Sequence, residues 1–114
     1  MLARINRLTK DKDFERVAKQ GEAVYSKEMA IKFLPNFLNF SRFGIVVSTK
    51  VHKSAVKRNL IKRRLRAIIK KNIKKIKTGY DVMILTKLAV LNLSYQEIKQ
   101  ILESLFEKAK LYYD

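Results

Sequence analysis

The stretch Lys50–Lys77, KVHKSAVKRNLIKRRLRAIIKKNIKKIK, holds 13 of the chain's 26 Lys and Arg residues and no carboxylate. At about 100° per residue it reads as one long helix that runs on to Thr78–Gly79. Ile61, Leu65, Ile68, Ile69 and Ile76 fall on a narrow apolar stripe, the spacing that helix burial requires. Beside the stripe, Asn59, Lys62, Arg63, Arg66 and Lys70 line one cationic edge. Like charges one turn apart repel by roughly 0.2–0.5 kcal/mol per pair, so a dense array of them suits a polyanionic partner. A charged helix face is often merely solvated. This one is one-signed, includes four arginines and follows a strand-like segment. Basic tails that bind non-specifically tend to lack an apolar stripe, whereas here the cations are presented on a packed surface.

Around that helix the chain is short and one-sided in charge. Its 114 residues suit a single domain, 1–114, with a modest core. A 47% apolar content argues against disorder, and the net charge of +16 argues for an anionic partner. Every carboxylate lies in Asp11–Glu28 or Asp81–Asp114. No Trp/Phe-rich interfacial face, no run of ~18 apolar residues and no secretory signal pattern points to a membrane or to export. The absence of cysteine excludes disulfides and thiolate metal sites. A cytoplasmic nucleic-acid-binding domain is the expectation.

Before the basic helix, Met1–Leu8 reads as an extended lead-in. Thr9 is placed to cap a helix whose first turn holds Asp11 and Asp13, and Gly21 to end it. Glu22–Leu34 alternates with period two, a strand with a possible break near Ser26–Glu28, and Pro35–Asn36 stops it. Phe37, Leu38 and Phe40 suggest a connection that is not fully exposed. Arg42–Lys50 reads as a strand covered on both faces, and Ser54 as the N-cap of the basic helix. After it come a strand at Tyr80–Thr86, a short apolar connection at Lys87–Leu93, and a final helix opened by the capping box Ser94/Glu97. The pattern is α-β-β-α-β-α, with parallel strands flanking the basic helix.

Catalytic chemistry is scarce. The single histidine, His52, lies between lysines, and the acids are scattered, with only Asp81 beside a strand. No catalytic residue, metal ligand set or Gly-rich phosphate loop is assigned. RNA fits better than duplex DNA, because no helix-turn-helix or zinc-finger spacing appears while aromatics accompany the basic helix. Tyr25, Phe33, Phe40 and Phe43 are candidates for base stacking, although each taken singly reads more readily as core.

Four segments together resemble the protein component of bacterial ribonuclease P: RLTKDKDFERVAKQG, RFGIVVSTKVHKSAVKRNLIKRRLR, GYDVMILTK and LSYQEIKQILESLF. The likeness covers nearly the whole chain, in order. It implies an α+β fold of α-β-β-β-α-β-α type, a sandwich with a mixed sheet of about four strands and a left-handed βαβ crossover. It also implies a non-catalytic subunit of an endoribonuclease ribonucleoprotein. In such a particle the partner RNA carries out Mg²⁺-dependent removal of the 5′ leader from precursor tRNA, and the protein holds no tight cofactor of its own. By position, Arg58, Asn59, Lys62, Arg63 and Arg66 would be the motif residues facing the catalytic RNA, with Lys50 and Lys53 of the preceding turn beside them. Phe14 and Ser48 would face the leader. Leu60 departs from the family, which usually has a basic residue there. A ribosomal-type structural RNA-binding protein with no processing role is the alternative. Stimulation of a catalytic RNA at low Mg²⁺ separates the two.

Overall fold

The computed structural model describes residues 2–114. A 3₁₀ turn at Arg4–Asn6 leads into helix α1 (Asp11–Gln20), strands β1 (Glu22–Tyr25), β2 (Met29–Pro35) and β3 (Arg42–Val46), helix α2 (Ala55–Asn72), strand β4 (Tyr80–Thr86), a second 3₁₀ turn at Leu88–Asn92 and helix α3 (Tyr95–Lys108). The strands form one mixed sheet in the order β1-β2-β4-β3. β2 pairs antiparallel with β1 and β4, while β3 and β4 are parallel across α2. The α+β class and the α-β-β-β-α-β-α order agree with the resemblance.

Register sorts side chains onto two faces, because cross-strand partners point the same way. The rows Glu22–Phe33–Val82–Phe43 and Val24–Ile31–Ile84–Ile45 share one face. That face meets Leu65, Ile68 and Ile69 of α2 and Ile98, Leu102 and Phe106 of α3 in the main core. The rows Ala23–Lys32–Met83–Gly44 and Tyr25–Ala30–Leu85–Val46 share the other. There α1 and the N-terminal segment build a smaller cluster of Leu8, Val17 and Met83, flanked by Phe14, Leu34, Val46 and Leu85. β3 is therefore covered on both faces as its apolar run requires, and Leu8 N–H donates to Phe43 O at its outer edge (2.8 Å).

Several boundaries differ from the sequence pattern, each for a local reason. Glu22–Leu34 is a hairpin and not one strand: the Ser26 hydroxyl accepts from the N–H groups of Glu28 and Met29 and closes the turn. The expected extended lead-in is interrupted by the 3₁₀ turn at Arg4–Asn6, with Met1 outside the described residues, and Leu2 and Leu8 are buried. Lys10, not Thr9, is the N-cap of α1, with no side-chain cap bond; Asp11 and Asp13 alone complement the dipole. Gly21 follows α1 in an extended conformation (φ −74°), so it is not needed for a left-handed turn. It is needed for space, since a Cβ there would lie 2.5 Å from Val17 O and 2.9 Å from Phe33 O. β3 ends at Val46, earlier than the apolar run.

The basic helix is also shorter than its periodicity suggests. It stops at Asn72, whose buried side-chain amide donates to Ile68 O (2.9 Å). Ile76, expected on the helical stripe, instead bridges Tyr112, while Lys77 N–H donates to Leu111 O (2.7 Å) and Tyr113 N–H to Lys75 O (2.8 Å). The C-terminal tail thus captures 75–77 as a strand-like segment. Ser54 and the Ser94/Glu97 box cap α2 and α3 as the sequence indicates.

Candidate nucleic-acid interface

The chain leaves β3 into a tight turn that delivers it to α2. Val51 N–H donates to Ser48 O (3.0 Å) and the Val51 side chain is buried, which pins the turn to the core. Ser54 N–H donates to His52 Nδ1 (3.0 Å), and the Ser54 hydroxyl accepts from Lys57 N–H (3.4 Å). Arg58 reaches back one turn, its Nη1 donating to the carbonyls of His52 (2.9 Å) and Lys53 (2.8 Å). Arg58, placed among the RNA-facing residues by resemblance, therefore fastens the loop that presents Ser48, Lys50 and Lys53, all three exposed. His52 is likewise a structural acceptor in this loop.

Along α2 the burial follows the stripe: Ile61, Leu65, Ile68, Ile69 and Asn72 face inward. Asn59, Arg63 and Lys70 are exposed, and Lys62 and Arg66 are half-buried at the margins. The edge read from the sequence is thus a surface, and residues 29–80 bring no carboxylate to it. Outside it the helix carries apolar side chains, with Val56 74% exposed and Leu60 half-buried. Ala67, exposed, is the floor of a shallow groove walled by Arg63, Arg66, Lys70 and Lys71. The Lys71 ammonium is held 5.6 Å from the ring centroid of Tyr95 on α3.

On the opposite face of the sheet, Phe14 of α1 is half-buried. Its ring lies directly on Gly44 of β3: a Cβ at Gly44 would come within 2.3 Å of Phe14 Cε1. A glycine inside a strand marks such a close approach, and that was the available signal for this partner of Phe14. An ion-pair cluster also fixes α1 to the sheet. Asp81, fully buried, takes a two-pronged grip from Arg42 (2.8 and 2.7 Å), a bond from Arg16 (2.6 Å) and one from Asn36 (2.9 Å). Burial alone pushes the Asp81 carboxyl upward; the bonds from Arg42 and Asn36 and the charges of Arg42 and Arg16 outweigh it and hold the group below the usual carboxylate range. Asp81 is thus a structural anchor. Beyond α1 the row Tyr25–Ala30–Leu85–Val46 continues the face, with Tyr25 exposed and the Lys87 ammonium 5.7 Å from its ring centroid.

Among the aromatics considered for stacking, Phe33 and Phe43 are core residues and Phe40 is half-buried, leaving Tyr25 exposed. The most exposed ring is Phe37 (94%), in a loop expected to be partly covered. It sits at φ 61°, held by Asn36, whose side-chain oxygen accepts from Leu38 N–H (2.8 Å). The site thus divides in two: Ser48, Lys50, Lys53 and the α2 edge lie together, while Phe14 lies on the α1 face. Among the described residues, no three His, Asp or Glu side chains gather as metal ligands, and no helix is long and apolar enough to cross a membrane.

A family model described as Ribonuclease P matches residues 2–110. The ribonuclease P protein component of Alkaliphilus oremlandii is 37% identical over 107 residues, 94% of this chain and 93% of its own length. That of a Pseudanabaena species is 35% identical over 112 residues, 97% of each. Among solved structures, the RNase P protein of Staphylococcus aureus superposes with TM-score 0.88 at 28% identity, over 95% of this chain and 98% of that one. The Thermotoga maritima RNase P protein gives 0.82 at 26% identity, over 90% and 96%.

Proposed function

This chain belongs to the ribonuclease P protein family and is a protein subunit of that endoribonuclease ribonucleoprotein, and we propose that its two faces divide the work of holding RNA. The membership sets aside the ribosomal-type alternative. In this proposal the exposed edge of α2, with Asn59, Lys62, Arg63 and Arg66, binds the catalytic RNA. Lys50 and Lys53 add charge from a loop that Arg58 keeps rigid. The α1 face receives the unpaired 5′ leader of precursor tRNA, with Phe14 against a base, while Ser48, which the resemblance also assigns to the leader, would meet it from the turn after β3, beside the α2 edge. The protein contributes no catalytic side chain; hydrolysis belongs to the RNA, which also holds the Mg²⁺. The working compartment in this proposal is the cytoplasm, and the whole of 1–114 acts as one RNA-binding domain.

The observation that carries the proposal is the one-signed edge of α2, with Asn59, Arg63 and Lys70 exposed, Lys62 and Arg66 half-buried at its margin, and the helix seated on a core. Arginine grips a phosphate through two parallel N–H groups, whereas lysine offers a mobile point charge. The free N–H groups at the start of α2 add attraction for phosphate. Lys75 lies past the end of the helix, on the segment bound to Tyr113, and shares none of this geometry. Arg63→Ala or Arg66→Ala should therefore weaken binding of the cognate catalytic RNA more than Lys75→Ala at the same salt. Removal of a side chain that neutralises one phosphate should lower the log–log salt slope by up to about 1. Titration at several ionic strengths measures both, and equal effects from all three variants would reduce the edge to a diffuse basic patch.

A further inference from the structure

We propose that the groove over Ala67 on α2 is a seat for one unstacked nucleobase of the partner RNA, so that this helix reads a base as well as phosphates. The inference rests on assigning α2 to the catalytic RNA and adds a ligand class to that surface. Its basis is the shape of the helix there. Ala67 ends at Cβ, while Arg63, Arg66, Lys70 and Lys71 stand around it at i−4, i−1, i+3 and i+4. On a helix those positions ring the central residue, so a short side chain among four long ones leaves a hole.

The walls of that hole are the aliphatic stems of the four side chains, and its floor is a methyl group. The rim is cationic, set by Arg63, Arg66 and Lys70, with the Lys71 ammonium turned toward Tyr95. An apolar floor alone fits many partners, but a rim of one sign excludes most of them. A cationic or neutral protein surface would leave those charges desolvated and unpaired, at a cost. A nucleobase presents a flat apolar face to the stems while its own phosphates meet the rim, and guanidinium planes stack on base faces. No acidic residue anywhere from 29 to 80 competes with the phosphates. Lys71 is drawn toward Tyr95, which keeps that wall standing away from the groove.

The test fills the hole without touching the charge. Ala67→Leu and Ala67→Gln are measured alongside Arg63→Ala, each titrated against the cognate catalytic RNA at several salt concentrations, with thermal melts of the free proteins. Ala67 is exposed, so the filled variants should melt with the parent. Both should bind RNA about tenfold more weakly, within the range that one base stack contributes, with the salt slope unchanged. Arg63→Ala should lower affinity and slope together. Full affinity in both filled variants, with Arg63→Ala weakened, overturns the base seat and leaves the RNA-facing helix standing. Full affinity in all three overturns the assignment of α2 itself. A filled variant that loses salt slope has displaced the cations, which likewise overturns the base seat.

Discussion

Gly44→Ala tests whether the sheet positions the aromatic ring assigned to the leader. The added Cβ would lie 2.3 and 2.4 Å from Phe14 Cε1 and Cζ and 3.2 Å from Leu8 Cβ. Non-bonded carbons rest at about 3.5–4.0 Å, so the ring must retreat by roughly 1.2 Å or more. α1 cannot simply lift away to allow this, because Val17 is fully buried and Arg16 is bonded to Asp81. Overpacking of this kind costs about 1–3 kcal/mol. For a domain of this size each kcal/mol lowers Tm by about 4 °C, so a fall of about 4–12 °C is expected. Because the strain is relieved by moving Phe14, the second consequence is functional. The holoenzyme should lose part of its preference for precursor over mature tRNA, up to the roughly 1–3 kcal/mol that one base stack supplies. Phe14→Ala should remove the same preference without the overpacking. Calorimetry of the free protein and parallel binding titrations with the two tRNAs read both effects. An unchanged Tm would show that the ring is not seated on Gly44, and a lowered Tm with intact preference would take Phe14 out of the leader site.

Phe37 sits in the left-handed region with its ring in water, so Phe37→Gly should raise stability by about 1 kcal/mol, read as a higher Tm; a fall would mean the ring packs on something essential. For Asp81 the sign follows from its lowered value: the stabilisation is complete above the unfolded Asp value of about 3.9 and drains away as pH falls through the lower folded one. Asp81→Asn should therefore lose about 3 kcal/mol near neutral pH, since it strands partly buried arginines, and should show a flatter decline in acid than the parent. An acid-unfolding profile identical to the parent's would move the acid sensitivity to another carboxylate.

The elements legible in the sequence were those whose signals are local. α3 has a reciprocal cap and a clean apolar face, and Ser54 marks the start of α2 with its own hydroxyl. β4 is a run buried on both sides, whereas Gly79, read as the end of the long helix, lies beyond Asn72 and turns the chain into β4 at φ 88°. What escaped was set by distant partners. The helical period runs past Asn72 unbroken, and only the tail residues Leu111 and Tyr113 take 75–77 out of the helix. Nothing near Arg58 in sequence distinguishes it from Arg63, yet the curvature of the 52–54 loop turns one into a clamp and leaves the other in solvent. Phe37 escaped because apolarity predicts burial, while the fold holds its backbone by the Asn36 side chain and leaves the ring in solvent.

The distribution of carboxylates explains how so cationic a chain stays folded while keeping its cations available. At α1 two acids, Asp13 and Asp81, are set against Arg16 and Arg42, and the burial of Asp81 makes that cluster part of the packing between helix and sheet. Among the described residues α2 makes no ion pair, and helix formation there relies on the apolar stripe against the main core. Cations neutralised within the fold cannot release counterions to an incoming RNA; those left open can. The same residue type therefore does opposite work on the two faces. Moving one carboxylate onto α2, as in Ala67→Glu, would convert an available edge into a self-paired one through the neighbouring Arg63 and Lys71. It would gain helix stability at the expense of affinity for a polyanion. In the role proposed for α2, the absence of acid from 29–80 is a condition of RNA binding that folding alone does not require.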